Sequence, residues 1–319
     1  MKKLVPSVAA LVLLALAGCS PAADGSNPAG STKAQKRAFS GAYPIKVVAT
    51  TGMVADLVRH VGGEHVDVVQ LMGEGVDPHL YHATTDDISQ LNRADAIFYS
   101  GLHLEGKMGD LFVRLARKKP TIYAVTEGID EQRLLEVSSG LYDPHVWFDV
   151  ALWSETLGVV EGALAEFDPK HAAEYKKNAE AYRAELLALD AEVKTELARI
   201  PDERRVLVTA HDAFHYFGRA YDIEVKAIQG ISTDAEASVK QINELVGEIV
   251  DRGIKAVFVE TSVSERNIRA LVEGCQARGH RVTIGGELYS DAMGKPGTPE
   301  GTYVGMVRKN VATIAKALE

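Results

Sequence analysis

From Pro169 to Pro201 the chain carries no glycine and no further proline, and the stretch is rich in Ala, Glu, Lys and Leu. Asp168-Pro169 has the form of a helix start, an acidic N-cap followed by proline at the first helical position. A helix of about 30 residues is roughly 45 Å long, enough to run the height of two lobes as a rigid strut. A coiled-coil partner is the alternative for such a helix, but the apolar spacing is too irregular to favour it. Length points the same way: 319 residues exceed the usual size of one domain and suit two lobes of about 130 to 150 residues each.

Both flanks of the strut alternate short β-rich runs with helical stretches. Before it come strands at 45–49, 66–71, 96–99 and 121–125, with helices through 53–61 and 108–117; Val54, Leu57, Val58 and Val61 line one helix face. After it come strands at 205–209, 224–227, 256–259 and 282–284, with helices at 212–221, 239–251, 266–278 and 303–318. This grammar predicts an α/β fold: two doubly wound lobes with mostly parallel sheets, joined by one long rigid backbone helix. The expected divisions are 44–167 for the first lobe, 168–200 for the connecting helix and 201–319 for the second lobe. Such sheets place ligands at the carboxyl ends of their strands, which makes the interlobe cleft the natural pocket.

The amino terminus reads as an address. Lys2 and Lys3 precede an apolar run from Leu4 to Ala17 that is too short to span a membrane, the build of a secretory signal over 1–18. Leu16-Ala17-Gly18-Cys19 matches the bacterial lipobox, and the match implies cleavage before Cys19 and a lipid thioether on its sulfur. Residues 19–43 then form a lipidated flexible tether, spanning roughly 25 to 30 Å on average. The expected location is outside the cytoplasm, anchored to a bacterial membrane. The other cysteine, Cys275, lies on an amphipathic helical pattern and reads as a small buried hydrophobe. A formal charge of −9 and the lack of a basic run interleaved with aromatics argue against nucleic acid as a partner.

Ten histidines need sorting. Asp77-Pro78-His79 and Asp143-Pro144-His145 repeat one tripeptide in two loops of the first lobe, and proline fixes the backbone beside each imidazole. His211 directly follows the strand Val206-Leu-Val-Thr-Ala210. Rigid presentation of this kind suits metal ligands, and it equally suits hydrogen-bonded surface histidines. Glu260 ends another strand on the same surface and either orients a liganding imidazole or caps the next loop. His211 and His215 have the spacing of a metallopeptidase helix, but His211 abuts a strand and Asp212 replaces the glutamate. His82 and His103 read as solvated or supporting residues; His60, His65, His171 and His280 read as surface.

The chain resembles the zinc- and manganese-binding solute receptors of ABC transporters, the TroA-like members of the cluster A-I (cluster 9) family. The matching stretches are Val48-Ala-Thr-Thr-Gly-Met-Val-Ala-Asp56, Gly75-Val-Asp-Pro-His-Leu-Tyr81, Gly101-Leu-His-Leu-Glu105, Asp143-Pro-His-Val-Trp147, Thr209-Ala-His-Asp-Ala-Phe214 and Leu288-Tyr-Ser-Asp-Ala-Met293. The resemblance implies metal ligands His79, His145, His211 and Asp291, one Zn(II) or Mn(II) ion as transported cargo, and no enzymatic activity. It also implies delivery to a membrane permease driven by a cytoplasmic ATPase, by a monomeric receptor. His211 stands where manganese-dedicated relatives commonly have Glu, which leans towards zinc; the long His-rich acidic loop of many zinc-dedicated relatives is missing, which keeps manganese open. Two rival classes are a metal-dependent hydrolase and a surface adhesin or interaction lipoprotein. No Gly-x-Ser-x-Gly elbow, P-loop or dinucleotide-binding glycine pattern is present.

Overall fold

Alternate residues of the first strand are buried on opposite sides: Ile45, Val47 and Ala49 in one core, Val48 in another. A strand covered on both faces belongs inside a parallel sheet. In the computed structural model, which describes residues 38–119 and 121–319, that strand is β1 (Ile45–Ala49), followed by α1 (Gly52–Gly62), β2 (Val66–Gln70), α2 (Thr85–Arg93), β3 (Ala96–Tyr99), α3 (Gly109–Ala116) and β4 (Ile122–Ala124). The four strands form one parallel sheet in the order β2-β1-β3-β4. A small antiparallel hairpin, β5 (Glu136–Ser138) and β6 (Leu141–Tyr142), and the helices α4 (Val150–Trp153) and α5 (Leu157–Phe167) lead to the strut.

The strut opens with a 3-10 turn, Pro169–His171, and continues as α6 (Ala172–Leu197). Tyr175, Ala179, Tyr182, Leu186, Leu189, Val193 and Leu197 recur every three or four residues, a more regular apolar stripe than the sequence reading allows, and they are buried in the protein's own core, not against a coiled-coil partner. Beyond it come β7 (Val206–Thr209), α7 (His215–Tyr221), β8 (Glu224–Ala227), α8 (Val239–Arg252), β9 (Ala256–Glu260), α9 (Arg266–Ala277), β10 (Thr283–Leu288) and α10 (Tyr303–Leu318). β7 pairs in parallel with β8 and β9 with β10, and β7 packs beside β9. The fold is α/β, with two lobes joined by the long helix.

One core runs through both lobes. It takes the inner faces of β1, β3, β7 and β9 together with α1, α5, α6 and α10, while separate clusters fill the outer side of each sheet. Asp56 bolts this centre together. It lies on α1, its carboxylate accepts from the Tyr182 hydroxyl on α6, and its other oxygen accepts from the Tyr303 backbone N–H at the start of α10, 3.2 Å away. Lobe-to-lobe attachment is therefore made by buried groups on three helices.

Cys275 is fully buried in the outer core of the second lobe, as its helical pattern predicts. The signal over 1–18 and Cys19 lie outside the described residues. Of the tether, only the last residues are described: the Phe39 backbone N–H bonds the Phe167 carbonyl at 2.6 Å, and the Tyr43 hydroxyl donates to Asp168 at 2.8 Å. Among the described residues no helix is long and apolar enough to cross a membrane.

Candidate metal centre

Four loops at strand ends or after the hairpin bring His79, His145, His211 and Asp291 together; the first two share one device, and the other two are each held differently. Asp77 and Asp143 accept the backbone N–H of the histidine two residues on, at 2.8 and 2.9 Å, which closes an Asx-type turn around each proline. Glu260, at the end of β9, accepts the backbone N–H groups of Ala210 (2.7 Å) and His211 (3.0 Å), so the chain leaving β7 is tied to its neighbour. The loop carrying Asp291 is held from several sides. The Trp147 indole N–H donates to the Ser290 carbonyl at 3.1 Å, Ser262 and Ser290 hydroxyls meet at 2.9 Å, and Asn310 of α10 bonds the Tyr289 backbone at both N–H and carbonyl.

The side chains converge tip to tip. His79 Nε2 lies 3.3 Å from His145 Nε2; Asp291 oxygens lie 3.2 Å from His211 Nε2, 3.4 Å from His145 Nε2 and 3.6 Å from His79 Nε2. Donors about 2.0 to 2.2 Å from a tetrahedral centre stand about 3.3 to 3.6 Å from one another, the same spacing. The three rings are inclined to one another by 60°, 68° and 79°, so they face a common point and do not stack. All four residues are buried, and His211 Nε2 and both Asp291 oxygens have no hydrogen-bond partner. Such orphaned groups are costly unless something else meets them. A divalent cation is the species that fits three imidazoles and a carboxylate at these separations.

Supporting carboxylates set the tautomers. His145 Nδ1 bonds Asp143 Oδ1 at 2.7 Å and His211 Nδ1 bonds Glu260 Oε2 at 2.5 Å. With Nδ1 donating, Nε2 presents its lone pair to the centre. The same carboxylates govern protonation when no ion is bound. Burial opposes charging of His145, but Asp143 and Asp291 outweigh it and raise its pKa to about 9. His211 is likewise disfavoured by burial and yet raised well above 6.5 by Glu260 and Asp291. Burial dominates at His79, which falls to about 4. Asp143 and Asp291 resist burial through the neighbouring imidazoles, Asp143 falling to about 2 and Asp291 well below its ordinary value.

The remaining histidines sort differently from their sequence reading in part. His82 and His103 are exposed. His65 and His171 are not free surface residues: their rings stack 3.8 Å apart, His65 bonds Glu174 at 2.9 Å and His171 bonds Asp168 at 2.6 Å. His60 stacks on Tyr182 at 3.7 Å. His211 and His215 do not share a helix, because α7 begins only at His215; the pinning of Ala210 and His211 by Glu260 keeps 212–214 irregular. His215 Nε2 instead lies 3.0 Å from Asp212 Oδ1 and Nδ1 faces the second Asp143 oxygen at 3.6 Å, a supporting position that the spacing alone does not reveal. The Asp-x-His interval was the available signal for Asp77 and Asp143. A cavity of about 700 Å³ beside Tyr99, His103 and Phe112 contains none of the four converging groups, as expected for donors already at contact spacing.

Residues 47–317 match the family described as zinc-uptake complex component A, periplasmic. The chain is 47% identical over 306 residues to the manganese-binding lipoprotein MntA of Bacillus subtilis, covering 96% of this chain and 95% of the relative. It is 50% identical over 283 residues to the zinc-binding protein TroA of Treponema pallidum, covering 89% and 91%. The solved structure of the periplasmic zinc-binding protein TroA from Treponema pallidum superposes with a TM-score of 0.84 at 49% identity, over 86% of this chain and 99% of that one.

Proposed function

This chain belongs to the family of periplasmic zinc-uptake component A proteins, and from that premise we propose that His79, His145, His211 and Asp291 hold its cargo, a single Zn(II) or Mn(II) ion. The protein is the exported substrate-binding lipoprotein of a metal ABC importer, a transport component and not an enzyme. An ABC importer has a membrane permease, and the receptor delivers the ion to it. Anchoring through lipid on Cys19, a monomeric state and an ATPase on the cytoplasmic side complete the reading. The observation that carries it is the set of buried, unpaired donors: two Asp291 oxygens and His211 Nε2 facing His79 and His145.

Three buried carboxylates, Asp143, Glu260 and Asp291, surround the centre. Without metal, Asp143 and Asp291 favour a proton on His145, and Glu260 and Asp291 push His211 in the same direction; a dication takes the place of that positive charge. Metal uptake is then an exchange of one ion for at least one proton near pH 7. The sign follows from the raised pKa of His145: below about 9 the ring is protonated in the metal-free protein, so falling pH opposes binding. Apparent affinity is expected to rise at least about tenfold per pH unit around neutrality, and calorimetry in buffers of different ionisation enthalpy reads the protons released. A window confined to pH 5–7, which unperturbed imidazoles would give, is shifted upwards by Asp143 and Asp291. Release of no protons at pH 7 would contradict this arrangement.

Metal choice follows from the donors. Three imidazoles favour zinc over manganese by the Irving–Williams order, while a carboxylate with both oxygens free can widen the coordination number and accept manganese. Elemental analysis of protein purified without added metal, with zinc and manganese titrations of the stripped protein, tests the function. One equivalent of zinc bound more tightly than manganese is expected; a protein that binds neither would overturn the reading.

A further inference from the structure

The two Asp-Pro-His tripeptides use their aspartates differently. Both cap the backbone N–H of the following histidine, but Asp143 Oδ1 also takes the ring Nδ1 of His145. Asp77 instead turns its second oxygen away from its own histidine. Asp77 Oδ2 accepts from the Thr233 hydroxyl at 2.5 Å, and Thr233 lies in the loop between β8 and α8, across the cleft. Thr233 is buried. Beside it Lys107 reaches both oxygens of Asp234 at 2.9 Å, also across the cleft, though in solvent, where such pairs contribute little.

His79 is also the ligand nearest the surface, 6% exposed against 1% or less for His145, His211 and Asp291. A cavity of about 350 Å³, bounded by His79, His103, Pro144, Ile231 and Asp234, opens onto it. An ion entering from this cavity would meet His79 before the other three ligands. Pro78 restricts the backbone between Asp77 and His79, so a movement of the Asp77 carboxylate is passed through the turn to the His79 backbone.

We propose that the Thr233–Asp77 hydrogen bond is the interlobe latch that sets His79 against the other three ligands, making His79 the last to close on the ion and the first to leave. Thr233 is a positioning residue, acting through Asp77 and never touching the ion. The proposal rests on the metal centre described above. When the latch opens, the ion is left with His145, His211 and Asp291 and an unobstructed side facing the cavity. Capture and release then depend on contact between the lobes at one buried hydroxyl, while the helix bolt at Asp56 stays in place.

Thr233→Val keeps the branched shape and removes the hydroxyl; Thr233→Ser keeps the hydroxyl. Zinc dissociation from the loaded full chain, followed by stopped flow against an excess of a chromophoric chelator, is expected to be at least about tenfold faster in T233V, the low end of what supporting hydrogen bonds contribute. T233S should stay within about twofold of wild type. Unchanged release in T233V overturns the latch, and so does equal acceleration in both variants, which would assign the effect to packing. Melting of the metal-free proteins supplies the control: acceleration that tracks a loss of stability also overturns it. Wild-type protein that holds zinc while T233V behaves identically sinks the latch alone; wild-type protein that holds none sinks the centre, and the latch with it.

Discussion

Asp291→Ala is expected to lose at least a hundredfold in zinc affinity, about 2.8 kcal/mol, while remaining folded. Asp291 is the one anion among the four converging groups, both its oxygens face the imidazoles, and neither is engaged elsewhere. Removing it leaves three neutral donors and opens a gap that water fills. Glu260→Gln is the informative companion. Glutamine retains an oxygen for the Ala210 and His211 backbone N–H groups, but its amide N–H₂ cannot accept from His211 Nδ1. The ring is then driven towards the tautomer with its proton on Nε2, where it blocks the ion, and a loss of about 10- to 100-fold follows. Isothermal titration of both variants, with circular dichroism as the fold check, separates the two. Wild-type affinity in a folded Asp291→Ala protein would remove that residue from the site.

Saturating zinc is expected to raise the melting temperature by roughly 10 °C. Free ion at about a thousand times its dissociation constant stabilises the folded state by about 4 kcal/mol, and a chain of this size gains about 2–4 °C per kcal/mol. The shift should also depend on pH in a defined direction. His145 keeps its proton to about pH 9 in the metal-free fold, against about 6.5 in the unfolded chain. That difference stabilises the metal-free protein fully below pH 6.5 and is lost as pH rises through 9. Metal-loaded protein has no proton there to lose, so the zinc-induced shift should be larger at pH 8.5 than at pH 6. A shift that is equal or smaller at pH 8.5, in differential scanning calorimetry at fixed free zinc, would show that the ion does not displace this proton.

Much of the architecture was legible because local rules and tertiary packing agree. The stretch from Pro169 to Pro201 forms a long helix, and α10 spans Tyr303–Leu318, where its apolar period lies. Agreement fails where the tertiary setting wins. β10 runs on to Leu288 through Gly285-Gly286, a pair that ordinarily argues against a strand. There a side chain at Gly285 would strike Ala317 of α10, Gly286 takes φ 155°, and the register with β9 slips at the same point. The glycines let the closing helix sit against the strand. α2 was missed because its sequence is polar, with Leu91 as its one buried apolar side chain; its capping box, Thr84 with Asp87, was the readable mark.

The metal-ligand candidates divide in the same way. Each Asp-Pro-His loop carries its own geometry in three residues, and His211 announces itself at the end of an apolar strand. Asp291 has no local signature, and only family resemblance singles it out. Its position is set by pairing: Leu288 lies opposite Glu260 in the β9–β10 ladder, so the loop three residues on meets the strand end where His211 is held. Thr233 was invisible for the same reason, since the partner that gives it meaning is Asp77, across the cleft.

The most direct test of the account is diffraction from zinc-loaded crystals, with anomalous differences collected on both sides of the zinc absorption edge. A single zinc peak is expected, about 2.0 to 2.2 Å from Nε2 of His79, His145 and His211 and from at least one Asp291 oxygen. A zinc peak elsewhere, or a coordination shell that omits any of these four residues, would contradict it.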